Sequence, residues 1–194
     1  MELMLPGHSL YSQRNNELLP TSACNVTAMC QALHIGGYTF PKGKYAQEED
    51  NLMYFILHDS RIQSFYKSIG STANPYEIHE VLCYATNLWM GRDVCDRIYN
   101  ISQNKLIELN QQHCCVLLSG HYPSYTGRSI DHITCCHDVE HDGIRMTDSW
   151  GDYHALYTEQ HAQRNVFMSW DDFYEYIKPV KGAVKCGDVV YARS

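Results

Sequence analysis

The chain is short of basic residues. Lys and Arg number 15 against 22 Asp and Glu, giving a net charge of −7 over 194 residues. No basic stripe is visible, which excludes a protein that tracks a phosphate backbone, so nucleic acid is not expected as a partner. Long apolar runs are missing too. None approaches the roughly 18 residues that a membrane-spanning helix needs. The stretch from Met1 to Ser12 has no basic segment followed by an apolar core. The sequence therefore predicts no signal peptide and synthesis in the cytoplasm. There is no CxxC pair, internal repeat or low-complexity linker. The nine cysteines are odd in number and include the adjacent pairs Cys114-Cys115 and Cys135-Cys136. Neighbours on a strand point to opposite faces, so mostly reduced, buried thiols are expected.

What is present suits one folded unit over residues 1–194. Hydrophobic residues make up 44% and charged ones 19%, enough to bury a core without cross-links. The first half reads as mainly helical. Helices are expected from Cys24, ended by Gly36-Gly37; from Glu48 to Tyr66, as one or two; from Asn74-Pro75 to about Trp89; and after a Ser102 cap. The second half reads as mainly sheet, with strands over Cys114–Leu118, Ser129–His137, Gly143–Ser149 and Gly187–Ala192. A late helix opens at Ser169 and stops at Pro179. This is an α+β arrangement with a helical N-terminal half, an antiparallel sheet in the C-terminal half and a cleft between them.

The run Thr21-Ser22-Ala23-Cys24-Asn25-Val26-Thr27 organises the chemistry. Val26, Met29, Cys30 and Leu33 recur at the spacing of one buried helix face. At about 100° per residue Cys24 lies nearly opposite the centre of that stripe, in the first turn. Backbone N–H groups there are unpaired, and the positive end of the helix dipole favours a thiolate. Those are the requirements of a cysteine nucleophile.

Such a nucleophile needs a base and an orienter for that base. Asp131-His132-Ile133-Thr134 lies on one candidate strand and Thr147-Asp148-Ser149-Trp150-Gly151 on the next, with His132 and Asp148 sixteen residues apart. A wide turn around Glu140, within Asp138 to Asp142, would set His132 directly opposite Asp148. The carboxylate would then hold Nδ1–H and leave Nε2 for the thiol. A tight Asp142-Gly143 turn would pair His132 near Tyr153 and lose the contact by on the order of 16 Å.

These residues, in this order, resemble the papain-like cysteine peptidases. The family shows Asn-Ser-Trp-Gly at the orienter, where this chain has Asp148-Ser149-Trp150-Gly151. The closer resemblance is to the branch of bacteriocin-leader-processing (double-glycine) peptidases, in particular its stand-alone phage and bacterial members. The matching features are Gln13, Cys24 at a helix start, His132 before an apolar strand, and Asp148 at a strand end. The resemblance implies a papain-like fold and amide hydrolysis without cofactor or metal. It makes Cys24 the nucleophile, His132 the general base and then acid, Asp148 the orienter and Gln13 an oxyanion-hole donor. Trp150 would shield the His132–Asp148 hydrogen bond. Asn25 stands where many leader-processing relatives have Gly. The leading substrate it implies is the stem or cross-link peptide of peptidoglycan, as for phage endolysins, with release to the cell wall by a separate route. A protein or leader peptide is the alternative substrate. An acyl transferase, or a non-hydrolytic interaction or inhibitor protein on the same fold, is a further reading. A monomer is expected.

Two weaker signals are also present. Cys135, Cys136, His137 and His141 crowd together, but adjacent strand cysteines diverge, which argues against four converging zinc ligands. Tyr122, Tyr125 and Tyr153 are candidate cleft walls.

Overall fold

The computed structural model describes residues 11–158, 161–177 and 186–193. Its first helix, α1 (Cys24–Ile35), buries Val26, Met29, Cys30 and Leu33 completely, as the apolar stripe predicts. Each fully buried aliphatic side chain of this kind stabilises the fold by roughly 1.5–3 kcal/mol. The expected helix over Glu48–Tyr66 is two: α2 (Glu48–His58) and α3 (Ser60–Ile69). Asp59 between them is extended, and its carboxylate accepts from the Arg61 N–H to cap α3. The helix predicted from Asn74 is likewise divided. Pro75–Glu77 forms one tight turn, closed by the Glu77 carboxylate on the Asn74 N–H. Ile78 is extended, and α4 (His79–Met90) begins only after it.

Strand β1 (Cys95–Tyr99) follows, then α5 (Gln103–Gln111), capped by Ser102 as expected. The next strands are β2 (Cys115–Pro123), β3 (Ser129–Val139), β4 (Gly143–Asp148) and β5 (Gln163–Ser169). Ser169 caps α6 (Trp170–Tyr176), and β6 (Cys186–Val190) comes last. The predicted stop at Pro179 lies outside the described residues. Among the described residues the strands form one six-stranded sheet in the order β1-β6-β2-β3-β4-β5, with every neighbouring pair antiparallel.

The sheet divides the core. Cys115, Leu117, Ile133 and Cys135 pack with α1, α2 and α4 on one face. Val116, Leu118, Cys136 and Met146 pack on the other with residues of α5, α6 and the loop after β4. Cys135 and Cys136 thus enter different cores, following strand alternation. The cysteines whose side chains are described are free thiols. No described helix is long and apolar enough to cross a membrane.

The β3–β4 connection is neither of the two that the sequence suggested. Val139 pairs with Ile144, and the Glu140 N–H donates to the Gly143 carbonyl at 2.9 Å, so His141 and Asp142 form a tight tip. A bulge then takes up one residue of β3: Cys136 pairs with Met146 and Asp138 with Arg145, leaving His137 over. Cys135 pairs with Thr147. Continued by one step, that register sets Asp148 across from Thr134, diagonal to His132 rather than opposite it.

Candidate active site

Three elements meet at one end of the sheet. Cys24 is the first residue of α1, and no side chain caps that end. First-turn N–H groups therefore keep their donor capacity and partial positive charge. The thiol is half-buried and donates to Asn25 Oδ1 at 3.4 Å. The Asn25 amide in turn donates to the Tyr76 carbonyl at 3.0 Å, tying the residue after Cys24 to the segment that leads into α4.

The β3–β4 pairing ends at Cys135–Thr147, and β3 runs on toward Ser129 with β2 as its partner. His132 lies on this stretch, opposite Gly120. A Cβ at Gly120 would stand 2.8 Å from a ring carbon of Tyr122, so glycine makes room for the ring that packs beside the imidazole. The tip of α1 sets the Cys24 sulfur near enough to His132 to favour the charged form of its ring.

His132 Nε2 bonds Asp148 Oδ1 at 2.8 Å. This corrects the nitrogen assignment read from the sequence, since Nδ1 is left for the thiol. The register supplies the reason. A diagonal cross-strand neighbour lies about 7–8 Å away, which only the distal nitrogen reaches. Asp148 is fully buried, and its Oδ1 also accepts from the backbone N–H groups of Trp150 (2.8 Å) and Gly151 (3.2 Å). Oδ2 accepts from the Tyr157 hydroxyl at 3.0 Å. Burial alone would discharge the imidazole. The charge and hydrogen bond of Asp148, with the Cys24 sulfur adding to them, outweigh it and lift the His132 pKa to about 10.

The cover over this pair differs from the expectation. Trp150 packs its indole under the Arg14 guanidinium, 3.5 Å away. The rings that meet His132 edge-on are Tyr122 and Tyr157, each with its centroid 6.0 Å away. Tyr157 was not legible in the sequence. It lies nine residues beyond Asp148, and its hydroxyl reaches the carboxylate because Leu156 and Tyr157 both take left-handed φ values, 52° and 55°. Tyr122 and Tyr153 are buried and are not cleft walls, whereas Tyr125 is 59% exposed.

Gln13 sits in a tight turn, Gln13–Asn15, and is buried. Its Nε2 donates to the Pro20 carbonyl at 3.3 Å, and its Oε1 accepts from the Ser149 hydroxyl at 2.7 Å. The Pro20 carbonyl can only accept, so it fixes which end of the amide is nitrogen. The Ser149 bond anchors the N-terminal segment beside Asp148. A hollow of about 300 Å³ lies along the β2–β3 hairpin, lined by His121, Arg128, Ser129 and Glu175 among others, but neither Cys24 nor His132 lines it. Among the described residues no group of His, Cys, Asp and Glu is arranged to hold a metal ion.

No protein-family model matches the chain, and no curated protein matches it in sequence. Among solved structures, one from Bacillus anthracis, described as a C39-like peptidase, superimposes with a TM-score of 0.51. The match covers 95% of this chain and 94% of that one at 13% identity. The two share a fold. At that identity the likeness speaks for architecture: mixed helices and antiparallel sheet, arranged as in the C39-like protein.

Proposed function

We propose that the chain is a cysteine peptidase in which Cys24 is the nucleophile, His132 the general base and acid, and Asp148 the orienter. The observation that carries this reading is the convergence of a half-buried thiol at an uncapped helix tip with an imidazole held by a buried carboxylate. The proton rests on His132 Nδ1 while the sulfur, as thiolate, attacks an amide carbonyl carbon. The oxyanion meets the Cys24 N–H and the Gln13 side-chain amide. His132 then returns the proton to the leaving amine, and water, deprotonated by the same nitrogen, releases the acyl group. The C39-like architecture supports a peptide substrate, and no cofactor is invoked.

The leading substrate is the stem or cross-link peptide of peptidoglycan. The net charge of −7 gives no attraction to an anionic wall, and this favours a protein or leader peptide as the second reading. The deciding experiment is mass spectrometry of purified peptidoglycan digested with the wild type and, in parallel, with Cys24→Ala. New amine and carboxyl ends made by the wild type alone are expected. Intact walls together with Cys24-dependent cleavage of a peptide library would move the substrate to protein. No cleavage of either, with full biological effect retained by Cys24→Ala, would overturn the peptidase reading in favour of an interaction protein. Mixed products carrying an added amine would identify a transferase. Gln13→Ala should lower kcat about 100-fold with little change in KM, as expected for loss of one oxyanion donor.

A further inference from the structure

A second nucleophile–imidazole–carboxylate relay lies outside the Cys24 site. His79, the first residue of α4, bonds Asp188 Oδ2 through Nδ1 at 2.5 Å and Ser119 Oγ through Nε2 at 2.7 Å. Asp188 is fully buried on β6 and faces Arg97, its directly paired neighbour on β1, at 3.1 Å. Ser119 on β2 is half-buried, and the His79 side chain is 11% exposed. Asp188 pairs with Leu117, so Ser119 is its diagonal neighbour on the same face of the sheet. Three residues from α4, β2 and β6, up to 109 positions apart, meet in the order that a serine nucleophile requires.

We propose that Ser119, His79 and Asp188 form a second acyl-transfer site, with Ser119 as nucleophile, His79 as base and Asp188 as the positioning residue. With the proton on Nδ1 held by Asp188, Nε2 presents a lone pair to the Ser119 hydroxyl. Ser119 and His79 keep partial contact with solvent while the carboxylate is sealed, the gradient a site with an outer nucleophile and an inner positioning group requires. Arg97 shares the Asp188 carboxylate with His79. The substrate class assigned is a carbonyl with a good leaving group, an activated carboxylic ester, whose departing alcohol demands less of the acid–base pair than an amine does. Ser119 Oγ bonds to the ester carbonyl carbon as its proton passes to His79 Nε2. The C–O bond to the alcohol then breaks, and the alcohol leaves with that proton. Water attacks the acyl-serine, giving one proton to Nε2 and thence to Oγ, and the carboxylic acid departs. The sum is ester and water to acid and alcohol.

The test uses the full chain carrying Cys24→Ala, so it does not depend on the peptidase reading, and either can fail alone. An alkyl fluorophosphonate should label the protein one to one, with the adduct mapped to Ser119 by mass spectrometry. Hydrolysis of 4-nitrophenyl acetate should persist in this background and fall about 100-fold in His79→Gln, the usual scale of general-base catalysis. Ser119→Ala should abolish labelling. No adduct at Ser119, adducts spread over other serines, or ester hydrolysis indifferent to Ser119→Ala would overturn the proposal. Should Ser119→Ala fail to fold, Ser119→Cys serves instead. Its thiol should be alkylated by iodoacetamide at pH 6.5 faster than the remaining cysteines, and an absence of that acceleration counts against the site. Asp188→Asn should shift the pH at which labelling is half-maximal, and an unchanged profile would remove Asp188 from the mechanism.

Discussion

The His132–Asp148 and His79–Asp188 pairs use one construction on opposite faces of the same sheet. In each, a fully buried strand carboxylate meets an imidazole, and one member of the assembly is its diagonal neighbour across two strands. They differ in what else holds the carboxylate. Asp148 is held by neutral donors, two backbone N–H groups and the Tyr157 hydroxyl, so His132 is its cationic partner. Asp188 divides its charge between His79 and the Arg97 guanidinium. Neutral donors steady a carboxylate without spending its field, whereas a cation takes part of that field. The same geometry therefore yields a strongly supported imidazolium at one site and a carboxylate shared with a guanidinium at the other.

The largest test of this contrast is His132→Ala. Cys24-dependent peptide hydrolysis should fall roughly 10⁴-fold, the scale seen when one member of a catalytic unit is lost, and turnover assays against the wild type read it directly. Next come the carboxylates. Asp148→Ala leaves its buried donors without an acceptor, and Asp188→Ala removes the buried carboxylate that both Arg97 and His79 bond, leaving Arg97 its Glu80 contact. Each should cost about 3–5 kcal/mol in urea unfolding at pH 7. Their pH dependence separates them. The His132 pKa is raised from 6.5 to about 10. Its stabilising contribution is therefore complete below pH 6.5 and is lost as pH rises through about 10. Asp148→Ala should abolish that alkaline slope and Asp188→Ala should keep it. A wild-type stability curve that stays flat over this window would break the comparison.

A smaller effect sharpens the window. Glu49 on α2 is 1% exposed, and burial raises its pKa from 4.5 to about 7, opposed by a backbone hydrogen bond and helped by Glu48 and Asp50. Its protonated form fits the fold, so that contribution is complete below pH 4.5 and is lost as pH rises through about 7. Glu49→Gln should flatten this acid-side slope, add about 1–3 kcal/mol at pH 8 and leave the alkaline slope to His132. Smallest is Tyr157→Phe. It removes one of the hydrogen bonds to Asp148 and should cost about 1 kcal/mol in thermal unfolding.

The approach of Cys24, His132 and Asp148 to one another was legible because each carries a local signal. The apolar stripe of α1 sets the face of Cys24, and His132 and Asp148 lie on neighbouring strands joined by a short connection. Which nitrogen faces the thiol was not legible, because it depends on a bulge that no single residue announces. The His79–Ser119–Asp188 relay left no trace, since its members come from three elements far apart in sequence and meet only through the strand order. Strands β1 and β5 were missed because they lie at the two edges of the sheet, where Asp96, Arg97, Arg164 and Asn165 obscure an apolar pattern. The divided helices at Asp59 and Ile78 show backbone turns overriding a continuous helical periodicity.

The extra residue at His137 has a consequence for how this hairpin can change. Side chains on a strand have a parity. With a tight tip and an uninterrupted ladder, Asp148 would fall across from Cys135 and point toward α1, away from the imidazole. One surplus residue flips that parity and delivers the carboxylate to the correct side. Length changes between Cys136 and Asp148 are thus counted in twos: an even change moves the pair along the sheet, while an odd one that reaches the ladder turns Asp148 through it.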